Sequence, residues 1–171
     1  HSGDGFWAFA DDAQSYHNEG RNLMNAWRGE GPLPRFAFSN WSFVVYVALV
    51  YTVLGVHPLN LAFLNAWYGI VMSIAGLLLL RQLGATRTAV RWGVAVLSFW
   101  PALLLWSSQP LKEPLGLALT MVELYCGVRL ISRSPQDQRN WWPHLWLFAI
   151  VLCGLLLVRG YLAGALNAAM I

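Results

Sequence analysis

The sequence is short of charge. Asp, Glu, Lys and Arg make up only 11% of its 171 residues, against 57% hydrophobic. Soluble domains carry roughly a quarter charged residues, so this deficit excludes an ordinary water-solvated surface and points to lipid as the main solvent. Acids are scarcer still beyond the opening. Five of the eight (Asp4, Asp11, Asp12, Glu19 and Glu30) lie in the first 30 residues, and only Glu113, Glu123 and Asp137 follow residue 40. Cysteine is limited to Cys126 and Cys153, each inside an apolar run, which predicts two small buried hydrophobes and supports no redox role. The chain has no P-loop, no Rossmann glycine pattern, no Cys/His zinc spacing and no Gly-x-Ser-x-Gly, and nothing in it suggests nucleic-acid binding. The opening lacks the charged n-region and cleavage site of a signal peptide. A polar start without Met and an end inside the apolar run Ala168-Ala169-Met170-Ile171 predict a fragment, with an upstream helix and further downstream helices belonging to it.

What is present reads as an all-α, polytopic membrane protein. Residues 1–40 are polar and punctuated by Gly29, Gly31, Pro32 and Pro34, with an amphipathic helix expected over 6–28 and Phe6, Trp7 and Phe9 at the interface. Residues 41–171 form the transmembrane region. Segment 41–56 is apolar, but it falls short of the roughly 20 residues a span needs and ends at His57-Pro58. It is expected to lie at the interface without crossing. Spans follow over about 59–80, 88–106, 114–131 and 141–158, the last ended by Arg159, with another starting at 162. Trp41, Trp92, Trp100, Trp106, Trp141 and Trp142 fit interfacial belts.

The loops orient these spans. Loop 81–91 holds Arg81, Arg87 and Arg91 and no acid; loop 129–140 holds Arg129, Arg133 and Arg139 against Asp137 alone. Lying two spans apart, they share a side, and positive charge makes that side cytoplasmic. Residues 1–40 and the segment from Ser107 to Pro114 then face the other side, together with Arg159-Gly160-Tyr161. The unusual polar groups Asp11, Asp12, Tyr16, His57, Lys112, Glu113, Arg159 and Tyr161 all collect there. Ionisable groups near a span are costly, so together they mark a functional cavity.

Three constellations carry the chemistry, and each has a plainer reading. In Asp11-Asp12-Ala13-Gln14-Ser15-Tyr16, a helix puts Asp12 and Tyr16 on one face at i and i+4, where a carboxylate can act as general base on a hydroxyl. The same acids also suit a helix N-terminus and its dipole. In Ser107-Ser108-Gln109-Pro110-Leu111-Lys112-Glu113-Pro114, Lys112 is a compact cation suited to phosphate, with Glu113 beside it; an interfacial turn with a snorkelling Lys fits equally. Arg159 of Arg159-Gly160-Tyr161 can hold a phosphate diester bidentately or anchor the span end at headgroups. Two further groups have structural readings: His57 before Pro58, and Glu123, which sits mid-span as a buried, protonated or paired acid.

On these motifs the chain resembles the GT-C superfamily of polyprenyl-phosphate-sugar-dependent glycosyltransferases, relatives of protein O-mannosyltransferases and aminoarabinose transferases. The resemblance follows the order Asp11-Asp12-Ala13-Gln14-Ser15-Tyr16, Leu80-Arg81-Gln82-Leu83-Gly84, Trp100-Pro101, Ser107-Ser108-Gln109-Pro110-Leu111-Lys112-Glu113 and Leu157-Val158-Arg159-Gly160-Tyr161 along nearly the whole chain. It implies an N-terminal part of a GT-C-like bundle in a bacterial plasma membrane, with an extracytoplasmic site. It also implies an aspartate base four residues before an aromatic, which fits Asp12 and Tyr16. The family's acid following the base is replaced by Ala13, and Asp11 precedes it instead, so both aspartates are candidates. Glu113 matches the second family acid, and Gly160 stands where Arg-Pro-Tyr is commoner. The implied reaction moves a sugar, with inversion, from a polyprenyl-phosphate donor to a hydroxyl of a glycan, lipid or protein acceptor. Asp12 or Asp11 acts as base; Lys112, Glu113, Arg159, Tyr161, Tyr16 and His57 bind substrate. No metal or other cofactor is expected beyond the donor, and membrane lipids are the remaining partners. The alternatives are a non-enzymatic transporter or flippase subunit, which would route its path through Glu123, or a polysaccharide polymerase sharing the outer cations.

Overall fold

The computed structural model describes residues 11–34, 41–101, 104–105, 108, 111–132 and 141–169; for Asp11 and residues 159–169 it describes the backbone alone. Among the described residues there are six helices and no strand. They are α1 (Asp11–Trp27), α2 (Trp41–Leu54), α3 (Pro58–Gln82), α4 (Arg87–Phe99), α5 (Glu113–Ile131) and α6 (Trp142–Ala169).

α1 is amphipathic by the helical repeat. Ala13, Tyr16, Gly20, Leu23 and Met24 are buried, while Asp12, Gln14, Ser15 and Asn18 are exposed. The buried stripe packs on Phe43, Val44, Val47, Ala48 and Tyr51 of α2. Gly20 allows the close approach, because a Cβ there would stand 2.8 Å from the Cβ of Val47, a branched side chain with little freedom to yield. Leu61 and Leu64 of α3 and Leu115 of α5 join this cluster, so one core ties four helices together at one end of the molecule.

α3 and α5 run parallel. At one end Asn65 Nδ2 donates to the Leu111 carbonyl at 3.3 Å, just before α5. At the other, Arg129 Nη1 donates to Gln82 Oε1 at 3.2 Å. α5 faces α3 and α6 through small residues, with Gly116, Ala118, Cys126 and Gly127 all buried; small side chains let helix backbones come close in apolar surroundings. α6 returns antiparallel along α5, with Tyr125 and His144 in an edge contact at 6.0 Å and Gly154 in van der Waals contact with Leu119. α4 turns back along α3. Gly84, at φ +73°, makes the turn, Ala85 N–H bonds the Leu80 carbonyl, and Thr86 caps α4 by accepting from Ala89 N–H.

α3 and α5 are long and apolar enough to cross a membrane. In their most apolar stretches only 22% and 33% of residues are buried inside the fold. The outward face of α3 carries Leu59, Phe63, Trp67, Ile70 and Ile74, with Phe63 62% exposed. Contiguous exposed apolar surface of this kind marks a lipid or protein contact.

Of the amphipathic helix expected over 6–28, the described part is α1, Asp11–Trp27, and residues 1–10 lie outside the described residues. Two boundaries differ from those the sequence predicts. The span expected over 88–106 is interrupted: α4 ends at Phe99 and Trp100 turns extended, at φ −62° and ψ 120°. Pro101 is the cause, since a proline pushes its predecessor out of the helical region. The thirteen residues of α4 rise about 20 Å, short of a hydrocarbon core of about 30 Å. The expected stop at Arg159 and fresh start at 162 do not occur; α6 runs on to Ala169. Gly160 costs roughly 1 kcal/mol in a helix but removes no hydrogen bond, and Arg159 is a good helix former. Cys126 is buried as expected, but Cys153 lies exposed on the outer face of α6, and both are free thiols.

Candidate functional site

The site is built at the end of the bundle where α3 and α5 begin. Asp12 and Tyr16 lie one turn apart on α1, as their i, i+4 spacing requires. Phe43 meets the Tyr16 ring edge-on at 4.9 Å and fixes it. Lys112, nearly a hundred residues further on, places its ammonium over that ring at 5.7 Å, a cation–π contact. The Asn65 bond to the Leu111 carbonyl pins the segment carrying Lys112. Lys112 occupies the N-cap position of α5 without capping it. The helix dipole opposes a cation there; the aromatic face and the Glu113 carboxylate, in the first turn of α5, offset the cost.

The Tyr16 hydroxyl reports this surrounding. Burial raises its pKa above the usual phenol value, a hydrogen bond and the positive charge of Lys112 pull it back, and the charges of Asp12 and Glu113 raise it again. Asp12, Tyr16, Lys112 and Glu113 therefore share one electrostatic neighbourhood. Asp12 is exposed, Tyr16 is buried, and Lys112 and Glu113 are half-buried. The arrangement sets a carboxylate in water beside a partly desolvated cation at a helix N-terminus, where orphan N–H groups and the dipole favour an anion.

His57 serves the fold first. Its Nδ1 accepts from Leu59 N–H at 3.2 Å and caps α3, with Pro58 at the first helical position. Asn60 closes the same turn by donating to the Leu54 and Gly55 carbonyls. Of the remaining predicted residues, Asp11 lies in α1 and Arg159 and Tyr161 in α6, and their side chains lie outside the described residues. α6 is tied to the start of α2 by its backbone: the Ser42 hydroxyl donates to the Leu157 carbonyl, two residues before Arg159. Glu123 is fully buried in α5, away from the Lys112 segment and towards the Arg129 end. Among the described residues no group of three His, Cys, Asp or Glu could hold a metal ion.

Two contributors escape the sequence reading. Asn65 hides in an apolar stretch, and its only signal is that it is an amide inside a span. His17, next to Tyr16, shares a 2.7 Å hydrogen bond between Nδ1 and the Tyr51 hydroxyl. Burial lowers the His17 pKa below its ordinary 6.5, and the charges of Arg21 and His57 lower it further. The folded state thus resists protonation more than the unfolded chain does. Its contribution to stability is complete above about pH 6.5 and is lost as pH falls through the lowered folded value. Thermal unfolding followed by tryptophan fluorescence should show a lower midpoint at about pH 5 than at about pH 7.5. His17→Gln should remove most of that difference; an unchanged pH dependence in the variant would show that other groups cause it.

Comparison of the chain with protein-family models, with curated proteins and with solved structures finds no match.

Proposed function

We propose that this chain belongs to an integral membrane glycosyltransferase of GT-C type, working at the extracytoplasmic face of a bacterial plasma membrane. It takes a sugar from a polyprenyl-phosphate donor and gives it to an acceptor hydroxyl. The observation that carries the proposal is Lys112 standing over Tyr16, with the charges of Asp12 and Glu113 acting on the same phenol. These groups come from separate parts of the chain, and each is costly beside lipid. An anionic donor and a hydroxylic acceptor meeting at one site use them all.

In the reaction, Asp12 takes the proton from the acceptor hydroxyl as its oxygen bonds to the anomeric carbon. The bond from that carbon to the phosphate oxygen breaks, with inversion, and polyprenyl phosphate leaves with the bonding electron pair. Lys112 meets the charge that grows on the leaving phosphate, and the N-terminus of α5 adds its dipole. Arg159 of α6 is the second cation assigned to the donor phosphate, and Tyr161 is assigned to substrate binding. Asp11 is the other candidate base.

Glu123 favours a second reading. An acid fully buried in an apolar helix is what a transport path would use. Proteoliposomes holding the full-length protein, a polyprenyl-phosphate sugar and an acceptor separate the two. Release of polyprenyl phosphate that requires the acceptor is the expected result. Movement of the lipid between leaflets without release would replace the enzyme with the transporter. Cysteine labelling from outside gives the orientation: Ser108→Cys should label and Ser134→Cys should not, and the reverse would invert the site.

A further inference from the structure

A second site lies at the opposite end, between α3 and α4. A groove of about 760 Å³ opens there, lined by Arg81, Arg87 and Arg91 at the turn and by Leu77, Val94 and Phe99 along its length. All three arginines are exposed, and no acid is among the described residues that line the groove. Phe99, at the far end, is 74% exposed. The two helices are antiparallel, so the groove has a cationic mouth and an apolar floor. α4, which forms one wall, rises about 20 Å, while one leaflet of hydrocarbon is about 15 Å deep.

We propose that this groove holds one anionic phospholipid, its headgroup phosphate among Arg81, Arg87 and Arg91 and an acyl chain running along α3 and α4 towards Phe99. Two features select this occupant. Three arginines lining one groove, with no acid among its described lining residues, are matched by a phosphate diester, which a guanidinium can bind through paired N–H groups. The apolar length matches a chain that lies in the leaflet, which a soluble phosphate cannot fill. General attraction of basic loops to anionic membranes would need the arginines alone; the groove behind them adds a place for one molecule. The proposal rests on the membrane reading but not on glycosyl transfer, because it lies at the other end from Lys112.

The test is native mass spectrometry of the full-length protein taken from nanodiscs of equal phosphatidylglycerol and phosphatidylcholine. Phosphatidylglycerol should stay bound in preference, and Arg81→Gln, Arg87→Gln and Arg91→Gln should each cut that preference roughly fivefold. Ala95→Trp fills the groove while keeping every charge, and it should abolish retention as well. Excess glycerol phosphate should displace nothing. Equal retention of both lipids would overturn the site, and so would full retention in Ala95→Trp or displacement by glycerol phosphate. The arginine variants change exposed residues outside the core, so they carry the test even where Ala95→Trp fails to fold. Retention of neither lipid would overturn the site as well, whereas failure of the protein to enter nanodiscs at all would sink the membrane reading.

Discussion

Asp12→Asn is expected to lower sugar transfer by about 10²- to 10⁴-fold while leaving donor binding unchanged, because a positioned general base contributes about that much. The change keeps the size and shape of the side chain and removes only its ability to take a proton. Lys112 remains over the Tyr16 ring, so the phosphate contacts survive and KM for the donor should hold while kcat falls. The plainer role for Asp12 is that of an acid favouring the helix dipole on the N-terminal side of α1. That role is worth about 0.3–1 kcal/mol and would appear as a small drop in unfolding midpoint with transfer intact. Asp12 is exposed, so the core beneath it is untouched. Transfer at the wild-type rate in Asp12→Asn would remove it as the base and pass the question to Asp11→Asn.

Lys112→Gln is expected to raise the donor KM by roughly ten- to a hundredfold, since hydrogen bonds to charged groups are worth about 1.5–3 kcal/mol. The lysine supplies charge to the leaving phosphate, so kcat should fall with it. Two companion variants separate charge from packing. Lys112→Arg keeps a cation that can still lie over Tyr16, and it should recover part of the affinity. Tyr16→Phe keeps the ring and the cation–π contact, worth about 0.5–1 kcal/mol, but removes the hydrogen bond with Lys112, so it should lose less than Lys112→Gln. A purely structural Lys112 would behave differently: Gln would then lower the unfolding midpoint and leave the donor KM where it was. That result, measured with a polyprenyl-phosphate sugar and varied donor concentration, would end the assignment of Lys112 to the phosphate.

The pairing of Asp12 with Tyr16 is legible in the sequence because it is local. The i, i+4 spacing of Asp12 and Tyr16 needs only a helix, and α1 provides one. Hydrophobic length alone marked α3 and α5 to within two residues of their bounds. Apolar composition continues past Trp100-Pro101, but the proline pushes its predecessor out of the helical region, and α4 ends at Phe99. At Arg159 the reverse holds: a charged residue ends a hydrophobic run without ending a helix, and α6 continues to Ala169.

The sequence by itself determined the helical class, the amphipathic stripe of α1, the scarcity of charge and the grouping of Arg81, Arg87 and Arg91 in one turn, because these depend on residues within a few turns of each other. Only the tertiary structure decided that Lys112 stands over Tyr16, that Asn65 holds the Leu111 carbonyl and that His17 meets Tyr51. It alone also set the approach of α1 to α2 at Gly20. Such contacts join residues some 27 to nearly a hundred positions apart. Their partners are chosen by which helix faces pack, and packing reads shape and volume that hydrophobic pattern alone leaves open.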